Sequence, residues 1–296
     1  KLKMLIKTLI NDYKTKFDKY YFGLLKANLS TSILSKAMIY ASLSGGKRIR
    51  PFLIYQAAKI AKTKRSQYLR LAASIESIHS YSLIHDDLPS MDNDDFRRGK
   101  LSTHKKFDEA TAILAGDALH DFAFEILSNE KTNKDPNIRI KLVNYLSRSL
   151  GHQGLAAGQS LDLLYENKKN NFENIINMYR LKTGLLFEFC FSSPFILNNQ
   201  RKEIIDFYKK YGLLFGMLFQ IVDDLIDENK SFKLIGKTPG KDRKQGKSTL
   251  LDLVGNEKVA LFCENEVNKF IKKNPYHFKK HSILKDLLFF NLSRIK

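Results

Sequence analysis

Two acidic clusters carry the side chains with the most distinctive chemistry, Asp86-Asp87-Leu88-Pro89-Ser90-Met91-Asp92 and Asp223-Asp224-Leu225-Ile226-Asp227. Each ends an apolar stretch with helical periodicity. Carboxylates at the edge of an apolar helix repel one another and cost desolvation energy unless a cation neutralises them, and an all-oxygen donor set favours a hard ion such as Mg²⁺. Two such sets suggest a clamp for a metal and a diphosphate.

The second cluster shows how a helix would aim these groups. Phe215, Leu218, Phe219, Val222, Leu225 and Ile226 form a core-facing stripe, while Gly216, Gln220, Asp223 and Asp227 fall on another seam at helical spacing. A solvated acidic face shows the same pattern, so this helix alone does not decide. In the first cluster Leu71, Ile75 and Ile78 make the buried stripe, and His79 and Asp86 share a face two turns apart. Pro89 disfavours helix just before it, so the chain bends and returns Asp92 toward Asp86. Arg97 and Arg98 follow, with guanidinium geometry suited to phosphate. Simple pairing of Asp92, Asp94 and Asp95 with these arginines is the plainer reading, but it leaves the second cluster unexplained.

The elements that must position these residues read as helices. Amphipathic segments run over about 2–27, 31–43, 51–61, 67–88, 107–128, 137–165, 172–197, 202–228, 247–273 and 280–294. Gly45-Gly46, Asp135-Pro136 and Asn229-Lys230-Ser231 punctuate them. The expectation is an all-α, single-domain bundle of about ten or more helices around a central cavity, covering 1–296. The 43% hydrophobic content of the 296 residues supports a large core, and no Pro/Gly-rich linker divides it. Cys190 and Cys263 lack metal-ligand spacing and read as buried thiols of a reducing compartment.

The longest apolar runs, 185–197 and 211–222, fall short of a bilayer span, so no transmembrane helix is expected. A cytoplasmic location follows; an organellar one stays open, because residue 1 is Lys and a removed targeting segment is compatible with that. The net charge of +19 permits polyanion partners. Much of the excess sits in connectors such as 129–134 and 166–171, which read as solvated loops, so no dedicated nucleic-acid partner is expected.

Taken in order, the motifs resemble those of the trans-isoprenyl diphosphate synthases. Ser80 through Pro89, continuing to Arg97-Arg98-Gly99, is similar to the first aspartate-rich motif of that family. Gly45-Gly46-Lys47-Arg48-Ile49-Arg50-Pro51 is similar to its early basic motif, and Phe219 through Asp227 to its second aspartate-rich motif. Gly236-Lys237-Thr238 and the stretch from Lys241 to Thr249 continue the likeness, which covers nearly the whole chain. Each motif is short, but the ordered set is specific.

The resemblance implies head-to-tail condensation of isopentenyl diphosphate with an allylic diphosphate, several Mg²⁺ ions bridging the latter, and a homodimer. Asp86, Asp92 and Asp223 are the leading ligands, then Asp87 and Asp227, with Asp224 in the outer shell. By the same resemblance Lys47, Arg50, His79 and Arg98 hold isopentenyl diphosphate without metal. Arg97, Lys182, Lys237 and Lys247 surround the allylic diphosphate, and Thr183 and Gln220 present oxygen dipoles to the carbocation. Arg48 reads as structural. Arg294 and Lys296 could fold over the entrance, though a frayed tail is the simpler expectation.

Product length turns on the residue five before Asp86, about 7 to 8 Å beneath the metals along the helix. That residue is Tyr81, with Ser82 beside it. An aromatic floor resembles the bacterial-type farnesyl diphosphate synthases. A Tyr81 turned aside would allow geranylgeranyl diphosphate, and a catalytically silent prenyl-diphosphate-binding homologue is the third reading.

Overall fold

The computed structural model describes residues 2–229 and 248–295. Lys237 and Lys247, both expected at the site, and Lys296 lie outside the described residues. Eleven helices precede residue 230: α1 Leu2–Asn28, α2 Ile33–Leu43, α3 Ile49–Ala61, α4 Arg65–Asp86, α5 Thr103–Lys106, α6 Glu109–Ser128, α7 Pro136–Leu150, α8 Leu155–Leu164, α9 Phe172–Tyr179, α10 Leu185–Leu197 and α11 Lys202–Asn229. Four follow residue 248: α12 Leu250–Val254, α13 Asn256–Lys273, α14 Pro275–Lys280 and α15 Ser282–Leu292. A 3₁₀ turn, Ser293–Ile295, comes last. The all-α expectation holds. Among the described residues the strands are one antiparallel hairpin, Phe96–Arg97 with Lys100–Leu101.

Amphipathicity sets the layers. Helix α1 buries Ile6, Ile10, Tyr13, Phe17, Tyr21 and Leu25, one stripe at three- and four-residue spacing. Helices α4 and α10 bury residues on nearly every face and so form the centre. Helix α4 packs on α3 and α6, and α10 lies between α3 and α11. Gly216, placed on the acidic seam by its spacing, faces α10 instead. A Cβ there would sit 2.8 Å from Phe187 Cβ, so the glycine lets the two helices close.

Helix starts follow local chemistry. The Asp108 carboxylate accepts from Thr111 N at 2.8 Å, and Asp135 caps α7 ahead of Pro136. The structure departs from the sequence expectations in several places, among them a break of the run 247–273 at Gly255, at φ +80. The run 137–165 breaks at Gly151–Gly154, where a Cβ on Gly154 would meet the Ser149 carbonyl at 2.1 Å. The run 172–197 contains a π turn, Arg180–Gly184. The connector 129–134 is not wholly solvated: Thr132 is buried and accepts from Arg70 Nε at 2.7 Å. No described helix is long and apolar enough to cross a membrane. Burial pushes the Cys190 and Cys263 thiols up to about 12, which keeps both protonated.

Candidate active site

The first acidic cluster is positioned by the end of α4. The helix stops at Asp86, before Pro89, and the chain turns back so that Asp92 N donates to Asp86 O at 2.9 Å and Asp94 N to Asp87 O at 3.1 Å. The predicted bend is therefore present. The hairpin then turns through Arg98 and Gly99, both at positive φ, and presents the two arginines.

Across from this wall runs α11. Gln220, Asp223, Asp224 and Asp227 line the same cavity as Asp86 and Asp92, a space of about 670 Å³. Lys47, Arg50, His79, Arg97 and Arg98 line it from the basic side, and Lys182 and Thr183 enter from the π turn. All described site residues proposed from sequence lie on this cavity except Asp87 and Tyr81.

Both exceptions reflect helical azimuth, because neighbouring residues point about 100° apart. Asp86 faces the cavity, so Asp87 faces protein: it is 2% exposed and accepts from Arg97 Nε at 2.8 Å. Burial pushes its carboxyl up to about 6, against the opposing pull of Arg97. Asp87 thus braces Arg97 in this structure. Ser82 lines the cavity, and the Tyr81 ring packs edge-on to His85 and His120, with centroids 5.0 and 5.2 Å away.

The polar walls are tied together. Thr183 Oγ1 donates to Gln220 Oε1 at 2.8 Å, and Gln220 Nε2 to Asp224 Oδ1 at 2.8 Å; the Tyr179 hydroxyl also donates to Asp224. Lys182 Nζ reaches Asp162 at 2.6 Å. The close fit at Gly158 sets this spacing, since a Cβ there would meet the Lys182 backbone N at 2.2 Å. Arg294 pairs with Asp223 and stacks 4.0 Å above the Phe219 ring, so the last turn folds over the site rather than fraying.

The basic side is built for an anion. The N-terminus of α3 borders the cavity, with Gly46, Lys47 and Arg50 on its lining. Arg50 keeps part of its surface toward the cavity, but its Nε is buried without a hydrogen-bond partner. Burial lowers the Arg50 pKa, the mark of a cation held where charge is unfavourable. Burial, then the neighbouring Arg50 and Arg98, hold His79 well below its ordinary value, so it is neutral at pH 7. Arg98 donates to Gly45 O at 2.5 Å and lies 3.3 Å from His79 Nε2. Gly46, at φ +106, leaves room for it, because a Cβ there would meet Arg98 Cζ at 2.5 Å. Arg48 is structural as expected, bound to Asp18, Glu76 and Ser42 O.

The donors fit a hard cation. Asp86, Asp92, Asp223 and Asp227 offer only oxygen, and among the described residues no three His, Cys, Asp or Glu side chains gather into a closed nest. Such open carboxylate walls suit Mg²⁺, which takes one or two carboxylates and completes its octahedron with water and phosphate oxygens.

A family model described as polyprenyl synthetase matches residues 31–285. The chain belongs to the polyprenyl synthetase family. A farnesyl diphosphate synthase of Micrococcus luteus is 42% identical over 232 residues, 78% of this chain and 79% of that protein. Geranylgeranyl pyrophosphate synthase 4 of Arabidopsis thaliana is 41% identical over 234 residues, 78% of this chain and 62% of that protein. A Helicobacter pylori geranyltransferase, solved in complex with magnesium and isoprenyl diphosphate, superposes with a TM-score of 0.81 at 30% identity, covering 95% of this chain and 96% of that one. Membership of the polyprenyl synthetase family agrees with the resemblance drawn from the ordered motifs.

Sequence reasoning missed Gln159, Asp162 and Tyr179, which also line the cavity. Gln159 and Asp162 left a signal, two polar residues at i and i+3 that are buried on the mainly apolar α8. Tyr179 left none, because its hydroxyl reaches a partner 45 residues away.

Proposed function

We propose that the chain, acting as one domain, catalyses Mg²⁺-dependent head-to-tail prenyl transfer, adding isopentenyl diphosphate to dimethylallyl and then geranyl diphosphate to form farnesyl diphosphate. The observation that carries this is the buried, unpartnered Nε of Arg50 at the helix N-terminus, in a cavity whose far wall is carboxylate. A single diphosphate held by metal would not need that metal-free cationic pocket. Two diphosphates, one activated and one not, need both.

In each cycle the allylic C–O bond breaks and diphosphate departs; the isopentenyl double bond forms the new C–C bond, and a proton is lost to the released diphosphate. Mg²⁺ supplies neutralisation of the leaving diphosphate when bound. Asp86 and Asp92 on one wall, Asp223 and Asp227 on the other, would hold several ions. Arg97, braced by Asp87, and Lys182, held by Asp162, present positive charge to the allylic diphosphate, a role extended by resemblance to Lys237 and Lys247. Lys47, Arg50 and Arg98 bind the second diphosphate. Neutral His79 adds a hydrogen bond there without supplying a competing acid. The linked Thr183 and Gln220 oxygens stabilise the cation without acting as nucleophiles. A homodimer and a cytoplasmic location accompany the proposal, the former checked by light scattering.

Geranylgeranyl diphosphate as product is favoured by one observation, that Tyr81 packs against His85 and His120 rather than on the cavity wall. The deciding experiment incubates purified protein with Mg²⁺, radiolabelled isopentenyl diphosphate and dimethylallyl or geranyl diphosphate, then resolves the dephosphorylated products. Farnesol is expected. Geranylgeraniol would move the product one unit longer, and no metal-dependent product from folded protein would make the chain a silent homologue.

A further inference from the structure

A second cavity, of about 1180 Å³, opens between α7, the π turn, α10 and the start of α11. It shares a wall with the first. Along this wall Tyr179, Lys182, Thr183 and Leu186 face the catalytic cavity, while Arg180, Leu181, Leu185 and Glu188 face the other. A π turn is a local irregularity in the helical ladder, found frequently at functional sites. The two cavities therefore have this turn in common.

The second cavity is cationic at its rim. Lys141, Arg148, Arg180, Lys202 and Lys209 line it against two acids, Glu188 and Asp206. Lys141, Arg148, Arg180 and Lys202 are exposed, and among the described residues none of these four side chains makes a hydrogen bond or ion pair. Lys209 Nζ sits 4.6 Å over the Tyr145 ring. Glu188 is already engaged, accepting from the Tyr145 hydroxyl at 2.8 Å. Burial raises its carboxyl above the ordinary range, with the Tyr145 hydrogen bond, Lys209 and Arg180 pulling the other way. Like charges gathered at one opening repel, and an anion relieves that repulsion. Beneath the rim lie half-buried apolar groups, Leu181, Leu185, Ile196 and Ile205, with Ile140 beside them at 64% exposure.

We infer that this cavity binds a soluble amphiphile with a phosphate head and a hydrocarbon tail, and that its occupancy acts on Lys182 and Thr183 through the shared π turn. The head meets the cationic rim and the tail covers the apolar floor. The site is a recess between four elements rather than a convex face, which suits a free ligand and not a membrane surface. This inference goes beyond prenyl transfer and stands on a different cavity.

The chain contains no tryptophan, so Ile140→Trp places a single fluorescent reporter on the lining. Farnesyl monophosphate, titrated in EDTA below its micelle concentration, should shift the emission saturably. Adding Arg148→Glu and Lys202→Glu, both at exposed positions, should raise the dissociation constant at least tenfold while circular dichroism stays unchanged. In the native sequence the same ligand should change kcat at least threefold at saturating allylic diphosphate, where competition in the catalytic cavity is overcome, and in the double variant it should not. Unmoved emission, equal titration of the double variant, or a response only to phosphatidic acid vesicles would overturn the inference. The fluorescence signal needs no turnover, so its failure is separable from any failure of prenyl transfer.

Discussion

Arg50→Met should make the protein more stable and less able to bind its substrate. The arginine sits in the first turn of α3, where the helix dipole opposes a cation, and its Nε has no partner. An unsatisfied buried donor costs about 1–3 kcal/mol. Methionine keeps an unbranched apolar stem and loses the contact of the guanidinium with Phe187, 4.7 Å away, worth about 0.5–1 kcal/mol, together with the attraction of Glu76 and Asp223. The net gain is at most about 2.5 kcal/mol. For 296 residues the unfolding entropy corresponds to about 0.6 kcal/mol per degree, so Tm should rise, by at most about 4 °C.

Ligand reverses the order. Isopentenyl diphosphate at 1,000 times Kd stabilises by about 4.1 kcal/mol, or about 7 °C, in the native protein. Removing one member of a buried charge contact costs about 2–5 kcal/mol of affinity, so the same concentration should raise the variant by only about 2 °C. Scanning calorimetry in EDTA, with and without isopentenyl diphosphate, checks both halves. The reasoning fails if Arg50→Met melts lower than the native protein without ligand, or if it gains as much from the ligand.

Three further outcomes follow from the same geometry. His79 is held neutral in the fold, so below its ordinary value near 6.5 the unfolded chain takes up a proton that the folded chain refuses, and stability falls with pH by up to about 1.4 kcal/mol per unit. His79→Gln should flatten that slope between pH 6.5 and 5.5 in denaturant titrations, and an unchanged slope would remove His79 as its source. Gly158→Ala drives a Cβ into the Lys182 backbone and should lower kcat at least tenfold, whereas Gly23→Ala, with nothing within 4 Å, should leave it unchanged; equal effects in steady-state assays would refute the steric argument. Tyr81→Ala should lengthen the product if the ring limits the chain, read by chromatography of the dephosphorylated alcohols, and an unaltered product would free Tyr81 of that role.

Much of this was legible where one periodicity governs a whole element. The stripes of α1 and α11 gave their extents to within two residues, and Asp135-Pro136 marked the start of α7. Cross-chain dependencies were not legible. Asp86 and Asp87 look alike in sequence, and only the helix end and the hairpin decide that one faces the cavity and the other Arg97. Thr132 sits in a run of polar residues and is buried because Arg70, 62 positions earlier, reaches it. The hairpin is too short to show alternation, yet its turn aims Arg97 and Arg98.

The π turn at Arg180–Gly184 has the character of an inserted residue. In an α-helix each residue advances the azimuth by about 100°, so one extra position rephases everything after it. Deleting a single residue between 180 and 184 would restore an unbroken helix through α9 and α10, with a better hydrogen-bond ladder. It would also rotate the Lys182–Thr183 end relative to the helix preceding it. The irregularity thus costs order in the ladder and, in exchange, sets Lys182 and Thr183 on the cavity wall.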